Sequence, residues 1–127
     1  MRSRLKERLM TKFSHVIVRR PPKSMENAYS SCPALGRPNY ENAIKQHDAY
    51  IEALKQCDVD VTILPALEQY TNSVFVEDPA LITRKGAIIC NPGMAIRNGE
   101  RIEIEPAIHR FFPSDQIARI ELPGTLE

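Results

Sequence analysis

Ala80-Leu81-Ile82-Thr83-Arg84-Lys85-Gly86-Ala87-Ile88-Ile89-Cys90 is the stretch on which the fold turns. Residues 80–83 and 87–90 read as short extended runs flanking Arg84-Lys85-Gly86, where the glycine offers a positive φ for a tight connection. Residues 74–77 read as a further extended piece just upstream. Downstream, a helix is expected within 100–112, with Pro106 either in its first turn or kinking it. Residues 116–122 close the chain as a strand.

The first half repeats the helix-then-strand order. Residues 13–19 are β-branched and stop at Arg20-Pro21-Pro22, so a strand ends there. The segment 21–38 holds four prolines and is a loop of a length that usually marks a functional lid or a disordered segment. Asn39 is an N-cap for a helix running to about Cys57. Tyr40, Ala43, Ile44, His47, Ile51 and Leu54 form its apolar stripe. Glu41, Lys45, Asp48, Glu52 and Lys55 take the opposite face, with Glu41 and Lys45 at the favourable i,i+4 spacing. Val59, Val61 and Ile63 alternate with polar residues, and this strand stops at Pro65. Strands alternating with helices place the chain in the α/β class, with a supersecondary unit recurring about every 60 residues.

The chain has 127 residues with a formal net charge of +1 and 43% hydrophobic content. That is one domain's length, with enough apolar surface for a core and too little basic excess for a generic nucleic-acid binder. No apolar run approaches the roughly 20 residues of a membrane-spanning helix. The charge is uneven. Residues 1–25 carry eight basic side chains and one acid, and the remainder carries nine basic and fifteen acidic ones. Residues 1–11 are read as a frayed basic extension, with Met10 an alternative start, and 12–127 as the domain. Cys32, Cys57 and Cys90 are odd in number and widely spaced, which is no disulfide framework. The expected compartment is reducing and cytoplasmic.

Three stretches together carry a resemblance. They are Arg19-Arg20-Pro21-Pro22-Lys23-Ser24-Met25, then Val74-Phe75-Val76-Glu77-Asp78 followed by Pro92-Gly93-Met94-Ala95-Ile96-Arg97-Asn98-Gly99-Glu100, and finally Leu122-Pro123-Gly124-Thr125-Leu126-Glu127. The chain resembles the N-terminal half of a dimethylarginine dimethylaminohydrolase, within the wider amidinotransferase and arginine deiminase group. The resemblance implies an α/β-propeller of pentein type, five ββαβ units around a pseudo-fivefold axis, of which this chain is about half. It implies hydrolysis of a substituted guanidinium. A cysteine thiolate attacks the central carbon, a histidine protonates the leaving amine, and water releases citrulline.

The same resemblance assigns roles. Glu77 and Asp78 fall in the guanidinium-binding region, and carboxylates suit a planar, donor-rich cation. If they lie on a strand, neighbours point to opposite faces, so one faces the site and one supports it. Asp78 is the better candidate for direct contact. By themselves the two acids read as a solvated strand end before Pro79. Arg97 falls where the family grips the substrate's α-carboxylate with a planar fork, although Asn98-Gly99 after it also suits an ordinary surface turn. Asn72 stands where many members have a substrate-contacting aspartate. The amide keeps hydrogen bonding and loses a charge, which opens specificity to related arginine- or citrulline-type substrates. Met25 matches a hydrophobic lid residue. Glu127 matches the acid that orients and charges the catalytic histidine.

The family's nucleophile and general acid fall downstream of residue 127. Cys32 sits in the expected lid, while Cys57 and Cys90 read as small core residues. His47 reads as a satisfied packing residue, and His15 and His109 are isolated. No Cys or His pair has metal-ligand spacing, no glycine-rich phosphate loop is present, and no cofactor is expected. The expected partners are a small guanidino substrate and either a missing C-terminal half or a second copy, since a half-propeller leaves strand edges open. Competing readings are an inactive truncated fragment and a module that binds arginine-like ligands without turnover.

Overall fold

The computed structural model describes residues 13–126. The basic extension expected over 1–11 and the acid Glu127 therefore lie outside the described residues. Strand β1 (His15–Arg19) leads through a loop to helix α1 (Tyr40–Gln56), which returns the chain to β2 (Asp60–Leu64). β1 and β2 pair in parallel, with Val16 opposite Val61 and Arg19 opposite Leu64. Asn39 caps α1 as expected, its Oδ1 accepting the Asn42 N–H at 2.9 Å. The stripe also lands as expected: His47 and Ile51 are buried, and the five charged residues of the opposite face are exposed. On that face Lys55 pairs with Glu52 at 2.7 Å and Asp48 pairs with Arg20. Asp58, at φ 59°, turns the chain out of the helix.

The second part is a ββαβ unit. β3 (Ala80–Thr83) and β4 (Gly86–Ile89) form the antiparallel hairpin. Helix α2 (Glu100–Ile108) then crosses to β5 (Ile117–Arg119), which lies parallel to β4 on the side away from β3. Gly86 has φ +155°, and a Cβ there would stand 2.1 Å from the Gln116 carbonyl oxygen. Only glycine lets β4 approach the turn before β5 so closely. Ala80, Ala87 and Ile89 from the hairpin meet Ile104, Ala107 and Ile108 of α2 and Ile117 of β5 in one core. Full burial of each isoleucine contributes roughly 2–3 kcal/mol.

Arg19, at the end of β1, ties the two parts together. It is buried, and its Nη1 donates to the Pro65 carbonyl at 2.9 Å while Nη2 reaches the Glu103 carbonyl at 3.5 Å. Burial pulls its guanidinium below its ordinary value, against the pull of Glu103 and Glu100.

Three sequence expectations change. Residues 74–77 are not extended: consecutive turns fold them, with the Phe75 N–H on the Asn72 carbonyl and the Asp78 N–H on that of Phe75. Their β-branched residues face no partner strand, so propensity is overridden. Pro106 is not in the first turn of α2: it occupies the seventh position, on the exposed side, and removes the amide that would serve the Ile102 carbonyl. The closing strand is Ile117–Arg119 and not 116–122: Ser114–Gln116 forms a 3-10 turn before it, and Leu122-Pro123 turns after it. The long loop after β1 also holds two 3-10 turns, Lys23–Asn27 and Pro33–Leu35.

Candidate functional site

The site is assembled from the turns between β2 and β3 and from the start of α2. Tyr70, Ser73, Phe75 and Asp78 each donate their amide N–H to a carbonyl three residues back. Ser73 is buried and its hydroxyl lies 3.4 Å from the Leu67 carbonyl. Buried Pro79 then feeds β3. This winding carries Asp78 to the 3-10 turn Ala95–Arg97, which opens α2. Gly99 completes the approach, since a Cβ there would meet the Tyr70 hydroxyl at 1.8 Å.

Arg97 is the centre of the cluster. Its Nε donates to Glu100 Oε1 at 3.0 Å and its Nη2 to Glu100 Oε2 at 2.8 Å. Nη1 donates to Asp78 Oδ2 at 2.5 Å, and Nη2 also reaches the Asn72 carbonyl at 3.5 Å. Arg97 is 8% and Glu100 2% exposed. The hydrogen bonds from Glu100 and Asp78 hold the guanidinium above its already high value, against desolvation. Glu100 also sits in the first turn of α2, where the helix dipole favours an acid.

The sequence-predicted residues divide accordingly. Asn72, Asp78 and Arg97 come together. Glu77 is exposed, beside them in sequence and outside the ion-pair cluster. The strand alternation offered to separate the two carboxylates does not exist, since both lie on turns; chain winding turns Asp78 onto Arg97 and leaves Glu77 in solvent. Asn72 accepts the Thr71 hydroxyl at 3.1 Å, and its Nδ2 donates to the Tyr29 carbonyl at 3.4 Å. Met25 lies half-buried on the turn Lys23–Asn27, four residues before Tyr29. Glu127 is outside the described residues.

Sequence reasoning missed Glu100. The i,i+3 spacing from Arg97 into a helix start was the available signal, and it also argues against Arg97 as an ordinary surface residue. Cys57 needs correction: it is exposed at the C-cap of α1, one position past the helix's last residue. Cys32 is exposed and Cys90 buried, with burial pushing the Cys90 thiol up. His47 is buried but its Nδ1 has no partner, so it is not the satisfied residue expected. Burial and nearby Arg20 lower its basicity. His15 approaches Asp60 at 3.3 Å, and His109 approaches Glu105 at 3.5 Å. Among the described residues no group of His, Cys, Asp and Glu could hold a metal ion, and no helix is long and apolar enough to cross a membrane.

Residues 22–118 match the family model described as N,N dimethylarginine dimethylhydrolase, eukaryotic. The N(G),N(G)-dimethylarginine dimethylaminohydrolase of Pseudomonas aeruginosa is 49% identical over 115 residues, covering 91% of this chain and 44% of the relative. A crystal structure of that organism's enzyme as a mutant complexed with citrulline superposes with a TM-score of 0.87 at 49% identity, over 91% of this chain and 44% of that one. The N-terminal domain of ArgZ, an arginine dihydrolase bound to product, is similar in fold, with a TM-score of 0.65 at 16% identity over 88% of this chain and 40% of that one. The fold is thus a partial α/β-propeller of pentein type, and the chain spans less than half the length of these relatives.

Proposed function

Because the chain belongs to the dimethylarginine dimethylaminohydrolase family, we propose that it supplies the substrate-holding part of a hydrolase cleaving the guanidinium C–N bond of arginine derivatives. The overall reaction takes dimethylarginine to citrulline plus amine through Cys/His covalent catalysis. In this reading residues 12–127 are the N-terminal half of the propeller domain. The nucleophile and general acid come from outside this chain, and Glu127 orients the histidine. The partners are the guanidino substrate and either the remaining half or a second copy, in a cytoplasmic setting.

The observation that carries the reading is the charge and placement of Asp78. The Arg97 cluster contains two carboxylates for one guanidinium, so in ionised form it has a surplus negative charge that suits a cation. Asp78 is fixed by Arg97 through one oxygen while its side chain stays 29% exposed. The other oxygen is thereby pre-oriented for a substrate guanidinium. Glu77, next to Asp78 in sequence and exposed, adds negative charge nearby. Arg97 has five N–H donors, and four face Glu100, Asp78 and the Asn72 carbonyl. One Nη1 hydrogen is left for the substrate's α-carboxylate, which makes Arg97 a single-donor contact rather than a free fork. Asn72 supplies a neutral amide where a charge is usual, widening the substrate class. Met25 stands on the lid turn.

For the chain by itself a narrower reading has its own support: Cys90 is buried with its thiol pushed up, the reverse of an activated nucleophile. Capture of an arginine-like ligand without turnover fits that observation. Titration of N,N-dimethylarginine into the ¹⁵N-labelled chain tests the binding site. Shifts are expected at Asn72, Glu77, Asp78 and Arg97, and Asp78→Asn should abolish them. No shift at these residues at millimolar ligand would overturn the assignment.

A further inference from the structure

The turn Lys23–Asn27 begins with an uncapped end. Its N-cap position is Pro22, whose side chain offers no acceptor, so the first amides of the turn need a partner from elsewhere. Glu68 provides it from 45 residues after Lys23 and 44 after Ser24. Its Oε1 accepts the Lys23 N–H at 2.9 Å and its Oε2 accepts the Ser24 N–H at 3.0 Å. Each carboxylate oxygen thus holds one amide, a two-point grip that fixes direction as well as distance. These bonds hold the Glu68 carboxyl below its ordinary range, with the Lys23 charge adding to them.

The far end of the turn is tied as well. Glu26, within the turn, accepts the Tyr40 N–H at 3.1 Å, the first amide of α1. The turn is therefore strung between α1 and the loop that follows β2. That loop also carries Asn72 and Asp78, and Asn72 reaches the Tyr29 carbonyl just beyond the turn. We propose that Glu68 is a positioning residue, a latch that sets the lid turn and its Met25 relative to the Asn72–Asp78–Arg97 cluster. What the turn covers rests on the function proposed above; the latch itself rests on the two hydrogen bonds alone.

Glu68→Gln tests it in the 127-residue chain. Glutamine keeps one acceptor oxygen and presents an NH₂ where the other stood, so one amide must lose its partner. Hydrogen exchange at Lys23 and Ser24 should quicken about tenfold, the size of a lost charge-assisted bond. In the wild-type chain both amide proton shifts should also titrate together with the Glu68 carboxyl, and in Glu68→Gln that titration should vanish and the Met25 methyl resonance should move. Exchange at Ile89 in the core should not change, which separates the latch from general destabilisation. Unchanged exchange and titration at Lys23 and Ser24, or equal acceleration at Ile89, would overturn the proposal. No substrate enters this measurement, so its failure leaves the hydrolase reading standing. Failure of the dimethylarginine titration would likewise leave the latch intact.

Discussion

Glu100 receives Arg97 edge-on, with Nε on one carboxylate oxygen at 3.0 Å and Nη2 on the other at 2.8 Å, both residues almost wholly removed from water. Fork-to-fork pairing of this kind specifies an orientation as well as an attraction. It points the remaining guanidinium nitrogen at Asp78, so the start of α2 and the turn before β3 are aligned by one side chain. Glu100→Gln leaves Asp78 as the counter-charge of Arg97 but turns an NH₂ group toward an Arg97 donor, so the fork loses a charge-assisted bond. It is expected to lower stability by about 1.5–3 kcal/mol, read as a drop in urea midpoint without a change in slope. A loss below about 1 kcal/mol would mean that the pair is solvated.

Gly86 makes a second demand on the backbone. With φ at +155° and the Gln116 carbonyl oxygen 2.1 Å from any added Cβ, alanine is both strained and in collision with main chain. Gly86→Ala should cost about 2–3 kcal/mol and increase hydrogen exchange along β4 and β5. Unaltered thermal unfolding would contradict the close approach.

The buried His47, whose Nδ1 has no partner, sets a pH dependence. Its folded value lies below the ordinary 6.5 because burial and Arg20 oppose the proton. Its contribution is therefore constant well above pH 6.5, where folded and unfolded rings are both neutral. As pH falls below 6.5 the unfolded ring takes a proton first and stability declines until the folded ring also titrates. Urea midpoints measured from pH 7.5 to 5 should fall, and His47→Gln should flatten that decline. An identical slope in the variant would assign the dependence elsewhere.

Accessibility separates the three cysteines. Brief treatment of the native chain with iodoacetamide should modify Cys32 and Cys57 and spare Cys90, which is 2% exposed and has its thiol pushed up by burial. Peptide mapping reads this directly, and denaturant should expose the third thiol. Rapid native labelling of Cys90 would contradict the packing of β4.

Much of this architecture was legible in the sequence where local chemistry and burial agree. Asn39 caps α1, the stripe through His47 and Ile51 is buried, and the expected hairpin forms, although Arg84-Lys85 alone makes its turn and Gly86 already pairs with Thr83 in β4. Residues 74–77 defeated the same reasoning, because a β-branched run says strand unless one knows that no partner strand is present. Resemblance named Asn72, Asp78 and Arg97, which the structure brings together, yet their wiring was not legible. Nothing local announces that Arg97 is buried against Glu100, or that Glu68 serves amides far away along the chain. Both depend on how loops of no regular period are brought together.

We propose that this chain contributes substrate-holding groups and that none of Cys32, Cys57 and Cys90 is the attacking thiol. Citrulline release from N,N-dimethylarginine by the purified chain tests it most directly, assayed beside Cys32→Ser, Cys57→Ser and Cys90→Ser variants. The account predicts no release above background from any of the four. Steady release by the wild-type chain, abolished in one of the three variants, would place the nucleophile within these residues and contradict it.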